Sequence, residues 1–239
     1  EYRTLIKTVD GQKLYLNLKY HSDGRRAKTI SIYAPYVILN KTTHDLSVFS
    51  DRQWGVLKSN VFLENDKKVA KPKMFSFQYE DYNRNRAKIK FTETNPSVPV
   101  SFDAIGQSVD VSLELLNHDQ ECNLGISVKE GEGKYRFTKI VELCPRYIFR
   151  NSMQESLEIM EYGTSSPTLL GPNEVIPLYF LKRTLSKKFV ARFAKIPSTW
   201  SNPFRLKDVG ETFVKMNITD AAQRLVKMEI SLEGATLFI

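Results

Sequence analysis

The chain has 239 residues, room for one large domain or two of about 100 to 120, and 41% hydrophobic against 26% charged residues excludes a disordered, fibrous or collagen-like protein. Its longest apolar run, Val175 to Leu181, contains Pro177 and falls far short of the roughly 20 residues of a membrane-spanning helix. Lys and Arg outnumber Asp and Glu by 35 to 27, a net +8 compatible with phospholipid headgroups or nucleic acid; yet the densest basic groups, Arg25, Arg26, Lys28 and Lys182, Arg183, Lys187, Lys188, read as solvated surface.

In chain order, the turn signals Asp10-Gly11 and Asp23-Gly24 flank a strand containing Leu16-Asn-Leu18. Tyr36-Val-Ile-Leu-Asn40 and Leu46-Ser-Val48 follow as short strands. Val109-Asp-Val111-Ser-Leu113-Glu-Leu115 alternates with the period of two that marks a half-buried strand. Ile126-Ser-Val128 then runs into the turn Gly131-Glu-Gly133. In the last third, Tyr147-Ile-Phe149 and Phe213-Val-Lys-Met216-Asn-Ile218 are again strands, and Thr219-Asp-Ala-Ala-Gln-Arg-Leu225 is the main helix candidate, with Thr219 or Asp220 as its cap. Many short strands in units of about 100 residues predict an all-β chain of antiparallel sandwiches.

The chain also repeats itself. Tyr36 to Val48 aligns without a gap on Tyr147 to Ile159, Asn40 falling on Asn151 at an offset of 111 residues; Phe102-Asp-Ala-Ile-Gly106 aligns on Leu206-Lys-Asp-Val-Gly210 at an offset of 104. The drift places about seven extra residues in a loop of the first copy. Two tandem β-sandwich repeats are therefore expected, 1–140 and 141–239, packed as neighbours in an array. Residues 1–28 resemble the closing strands of a preceding copy, and Glu1 reads as the start of a fragment.

Catalytic chemistry lacks its usual signatures. His21, His44 and His118 show no metal-ligand spacing, and no Gly-x-Ser-x-Gly elbow is present. Gly131-Glu-Gly133-Lys134 lacks the spacing of a phosphate loop and reads as a hairpin turn. Glu80 and Asp81 are adjacent, so in a strand they point apart. Cys122 and Cys144 are too few for a disulfide framework and read as reduced strand residues of a cytosolic protein. Without a secretory signal, the acceptor patterns at Asn40 and Asn217 carry little weight. No enzyme activity, metal or cofactor is expected. Asn40 and Asn151 stand out as polar residues at one register of an apolar strand, suited to capping the strand end and bonding loop backbone. Gly106 and Gly210 share a place where the strand turns.

Together Ser31-Ile-Tyr-Ala-Pro-Tyr-Val-Ile-Leu-Asn-Lys-Thr42, Phe102-Asp-Ala-Ile-Gly-Gln-Ser108, Val128-Lys-Glu-Gly-Glu-Gly-Lys-Tyr135, Pro145-Arg-Tyr-Ile-Phe-Arg-Asn151 and Met228-Glu-Ile-Ser-Leu-Glu-Gly-Ala-Thr236 resemble the adaptor-binding region of the vacuolar protein sorting-associated protein 13 family, over essentially the whole chain. The resemblance implies the last two of a series of all-β repeats, each with a characteristic Asn, matched by Asn40 and Asn151. It implies a part of a bridge-like lipid transfer protein that recognises short Pro-x-Pro motifs in adaptors on mitochondria, endosomes or vacuole, or the prospore membrane. The chain would then sit on the cytosolic face of organelle membranes at contact sites. Val98-Pro-Val100 stands where some relatives carry a Trp-Cys segment.

A Pro-x-Pro peptide loses little backbone entropy when it adds as a strand to a sheet edge beside an apolar groove. The expected peptide site lies on the second repeat near its boundary with the first, with Tyr147, Phe149, Asn151, Phe189, Val190, Arg192 and Phe193 as candidate lining residues; ordinary sandwich core is the competing account of each aromatic. Competing functions are direct, salt-sensitive contact with anionic membranes and a structural spacer. Nucleic acid lacks the aromatic and basic strand signature that it needs, and no small-molecule substrate is expected.

Overall fold

The computed structural model describes residues 2–7, 9, 13–22, 24, 28–50, 61–63, 71–79, 85–116, 118–196, 199–206, 208–218 and 222–239. Asp10-Gly11, Asp23, Arg25, Arg26, Glu80, Asp81 and 219–221 lie outside them. The chain forms two compact units, one of residues 1–113 and 125–144, the other of 114–124 and 145–239.

In the first unit, strands β1 (Tyr2–Lys7), β2 (Lys13–Ser22) and β3 (Lys28–Tyr33) make an antiparallel meander. Next come β4 (Tyr36–Asn40), β5 (Leu46–Ser50), β6 (Val61–Leu63), β7 (Lys73–Phe75), β8 (Ala87–Phe91), β9 (Ser108–Glu114), β10 (Gln120–Glu130) and β11 (Lys139–Pro145). One sheet has the order β10-β11-β4-β7, with β9 on β10, and the other β6-β5-β8. Alternation explains the core between them: Tyr36 and Ile38 of β4, Leu46 and Val48 of β5, and Ala87 and Ile89 of β8 are buried.

The second unit repeats the plan with β12 (Tyr147–Arg150), β13 (Leu157–Glu161), β14 (Thr168–Leu170), β15 (Val175–Leu178), β16 (Phe180–Lys182), β17 (Lys188–Phe193), β18 (Phe204–Arg205), β19 (Gly210–Asn217), β20 (Gln223–Glu233) and β21 (Thr236–Phe238). A sheet β15-β12-β21-β20-β19 faces a sheet β14-β13-β17-β18, and Tyr147, Phe149, Ile159, Phe189, Phe193 and Ile230 belong to the core that they share. The tip of β10, Gln120–Cys122, pairs with β16 inside this unit.

Among the described residues β11 lies parallel to β4 and β21 parallel to β12, beside antiparallel neighbours such as β4–β7 and β12–β15. A whole repeat separates those strands in sequence, which leaves the chain free to return in the same direction. The duplication extends to single hydrogen bonds. Thr138 Oγ1 donates to Ala34 O at 2.8 Å, as Thr236 Oγ1 does to Pro145 O; Ser97 Oγ accepts from Ile89 N–H at 2.9 Å, as Ser201 Oγ does from Ala191 N–H at 3.0 Å.

Two sequence expectations change. The helix candidate is a strand from Gln223 on, since Gln223, Arg224 and Leu225 open β20 and pair with Asn217, Met216 and Lys215. The offset also drops again after 104, Thr138 and Thr236 being only 98 apart, because the β10–β11 turn is longer than the β20–β21 turn. That longer turn holds a 3-10 turn, Gly133–Tyr135, and a Cβ on Gly131 would lie 2.1 Å from Tyr135 O, so only glycine fits. Cys122 and Cys144 are buried thiols, Cys144 Sγ donating to Gly125 O at 3.3 Å, and burial pushes the Cys122 thiol up to about 12.

Candidate functional site

Asn40 ends β4 and Asn151 directly follows β12, and each holds the turn that comes next. Asn40 donates to His44 O at 2.8 Å and accepts from Thr42 N–H at 3.0 Å; Asn151 donates to Glu155 O at 2.8 Å and accepts from Met153 N–H at 3.0 Å. The Asn151 amide also reaches Leu170 O at 3.3 Å and Gly171 O at 3.0 Å, which ties it to the end of β14.

β14 is an edge. It pairs with β13 alone, so among the described residues its outer side carries unpaired backbone groups, and Leu169 is 59% exposed. β15, the edge of the facing sheet, is less suited to accept a strand. The Asn151 N–H bond to Glu174 O sets the ladder so that Pro177, opposite Ile148, faces outward and withholds a donor there.

Between these edges opens a cavity of about 210 Å³. Apolar walls come from Phe149, Ile159, Leu170, Leu178, Phe180 and Phe189 among others; Gln120, Glu161, Thr164, Ser166, Thr168 and Lys182 supply its polar lining. Phe149 and Phe189 meet at 5.5 Å between ring centroids. A wider groove of about 560 Å³ shares Phe149, Ile159 and Leu170 and continues past Asn151 to β19 and β20.

Electrostatics single out Glu161. Its Oε2 accepts from Lys182 N–H at 2.9 Å, while Oε1 is buried without a hydrogen-bond partner. Burial pushes this carboxyl up, with a smaller push from Glu121 and opposition from the Lys182 N–H and the Lys182 and Lys187 charges. Lys187 is committed to Glu121, 2.5 Å away, and to Asn123 Oδ1 at 3.1 Å, on a backbone with φ of 52° that a lysine rarely adopts.

Of the seven candidates, Phe149 and Phe189 line the cavity, and Phe149 and Asn151 line the wider groove. Tyr147, Val190 and Phe193 are buried and line neither. Arg192 is engaged elsewhere, with Glu158 at 2.6 Å and over the Trp200 ring at 4.4 Å. Sequence reasoning missed β14, Leu178, Phe180 and Glu161. A signal for the last was present: alternation puts Glu161 on the inward face with Leu157 and Ile159.

Comparison with known proteins gives the family. Residues 1–239 match the family described as vacuolar-sorting associated protein 13, adaptor binding domain. The chain is 36% identical over 246 residues to the intermembrane lipid transfer protein VPS13 of Chaetomium thermophilum, covering 98% of this chain and 8% of that protein. Against the human intermembrane lipid transfer protein VPS13D the identity is 24% over 258 residues, covering 98% and 6%; against mouse VPS13A it is 22% over 170 residues, covering 70% and 5%. The chain thus spans less than a tenth of the length of each of these relatives.

Proposed function

The chain belongs to the vacuolar-sorting associated protein 13 adaptor-binding family, and from that premise we propose that it captures Pro-x-Pro segments of adaptors resident on organelle membranes, so bringing a lipid transfer protein to membrane contact sites. The observation that carries this reading is the unpaired β14 edge above an apolar cavity. In an extended strand, residues two apart turn their backbone groups to one side and their side chains to one face. Two prolines spaced Pro-x-Pro can therefore both place their missing N–H outward and both rings inward, while the central residue keeps its N–H and C=O for β14. An edge-adding peptide loses no ladder bond to such prolines, and the Leu178 and Phe149 side of the cavity receives the rings. Residues 1–28 serve in this reading as closing strands of a preceding copy: the three-strand order of β1–β3 recurs in β9–β11 and β19–β21.

Titration of a fluorescent Pro-x-Pro peptide into the chain tests the proposal, beside one peptide with both prolines changed to alanine and one N-methylated at the central residue. Saturable micromolar binding lost in both controls, and little changed by salt, is expected. Binding indifferent to both changes, abolished by physiological salt and reproduced on anionic vesicles would replace peptide capture by direct membrane contact through the +8 surface.

A further inference from the structure

Glu161 is costly where it stands. It is 9% exposed, an inward-facing carboxylate at the end of β13, and among the described residues Oε1 has no hydrogen-bond partner although the side chain lines the cavity under β14. An unsatisfied buried acceptor is destabilising, and more so when charged. The position aligned in the first copy, Ser50, carries no carboxyl: Ser50 pairs with Ala87 as Glu161 pairs with Phe189. The repeat plan therefore does not require an acid here.

We propose that the Oε1 of Glu161 receives the ammonium of a lysine in the partner segment, next to the prolines, making this carboxylate a determinant of which segments bind. The inference rests on the peptide reading above. Three features select the ligand. The cavity has apolar walls and a carboxylate, which suits an apolar stem ending in a cation. Only one carboxylate oxygen is open, because Oε2 holds the Lys182 N–H; a single-point ammonium fits that acceptor, whereas a guanidinium would forgo its two-pronged grip. Among the described residues no cation bonds the oxygen: Lys187 binds Glu121 and Asn123, and Lys182 meets the carboxylate through its backbone. Glu121 and Lys187 pair with each other, and Lys182 acts on Glu161 through its charge and its backbone N–H without bonding Oε1, so that oxygen is left for an incoming cation.

The test is a double-mutant cycle on the intact chain. Fluorescent Pro-x-Pro peptides carry lysine, arginine or norleucine at each flanking position in turn, and are titrated into the unmodified chain and into Glu161→Gln. At one position, lysine binds about tenfold tighter than norleucine to the unmodified chain, the size of one hydrogen bond to a charged group, with arginine between them; on Glu161→Gln the preference disappears. Glu161→Gln keeps the shape of the side chain, and the norleucine arm needs no variant at all, so loss of folding does not decide the result. Proline-dependent binding with no lysine preference at any position overturns the Glu161 inference and leaves adaptor capture standing. A preference that survives Glu161→Gln overturns it too, and assigns the lysine to another acid. Absence of any peptide binding removes both readings together.

Discussion

The two copies share a frame and differ in how they fill it. In the first, Tyr36, Phe75, Phe77 and Phe102 pack as mutually touching rings with centroids 5.0 to 6.4 Å apart. The register aligns Phe75 with Leu178, since each faces the tyrosine that opens its copy, and Phe77 and Phe102 fall on Phe180 and Leu206. Two of the four rings are thus leucines in the second copy, and the cavity opens beside Leu178 and Phe180. The conspicuous glutamates differ as well. On Glu142 in the first unit, burial, which raises the carboxyl, is outweighed by Lys129 at 2.8 Å and Lys41 at 2.6 Å, and the carboxyl stays below its ordinary range; Glu161 in the second lacks such partners and rises. In the first copy four rings meet at this register, and in the second a cavity and a carboxylate oxygen without a hydrogen-bond partner lie beside it.

The largest effect should come from the filled copy. Phe75→Ala removes a ring that is 1% exposed and is expected to cost about 3–5 kcal/mol in urea denaturation, whereas Leu178→Ala, at a half-buried wall of the cavity, costs about 1–2 kcal/mol. Equal losses would mean that the two cores are packed alike.

Next in size is Asn151→Ala, at about 1–3 kcal/mol, because it leaves Met153 N–H and the carbonyls of Glu155 and Gly171 without their partner. As Asn151 grips the end of β14, peptide affinity should fall with stability. Full affinity in a folded Asn151→Ala chain would separate this residue from the site.

These contrasts were only partly legible in the sequence. The duplication showed because Asn40 and Asn151, and Gly106 and Gly210, are conspicuous residues at matching places, and strands showed through alternation. The Thr219 to Leu225 segment misled because its cap residues are local, while the long pairing of β20 with β19 is a tertiary effect. Phe149 and Phe189 were recoverable as inward aromatics. The cavity was not, since it depends on matching Phe75 with Leu178 across a stretch where the offset shifts, and on an edge strand of only three residues. Glu161 escaped because a search for paired carboxylates passes over a single acid on an apolar face.

Smaller effects follow from the glutamates, and their signs oppose. Glu142 has a lowered carboxyl, so its contribution is present above the ordinary Glu range and lost as the pH falls through its folded value; Glu142→Gln should cost about 1 kcal/mol at neutral pH and nothing in acid. Glu161 has a raised carboxyl, so ionisation opposes folding once the pH exceeds the ordinary range. Glu161→Gln should therefore raise stability at neutral pH, a gain that vanishes as the pH drops below that range. Melting curves across this window distinguish the two, and a loss at neutral pH for Glu161→Gln would mean that Oε1 has a partner after all.

The smallest expected change in stability is the most informative about function. Leu178→Phe carries the ring of the first copy into the second, at the position aligned with Phe75. Because the new ring can enter space that is already open, its burial offsets the local repacking, and the net effect should stay within about 1 kcal/mol. The same ring removes the room that the peptide prolines need. Affinity should then drop by tenfold or more, with the β14 edge and Asn151 untouched. If Leu178→Phe leaves peptide affinity intact, the prolines do not enter this cavity, and the groove along β19 and β20 becomes the place to seek them.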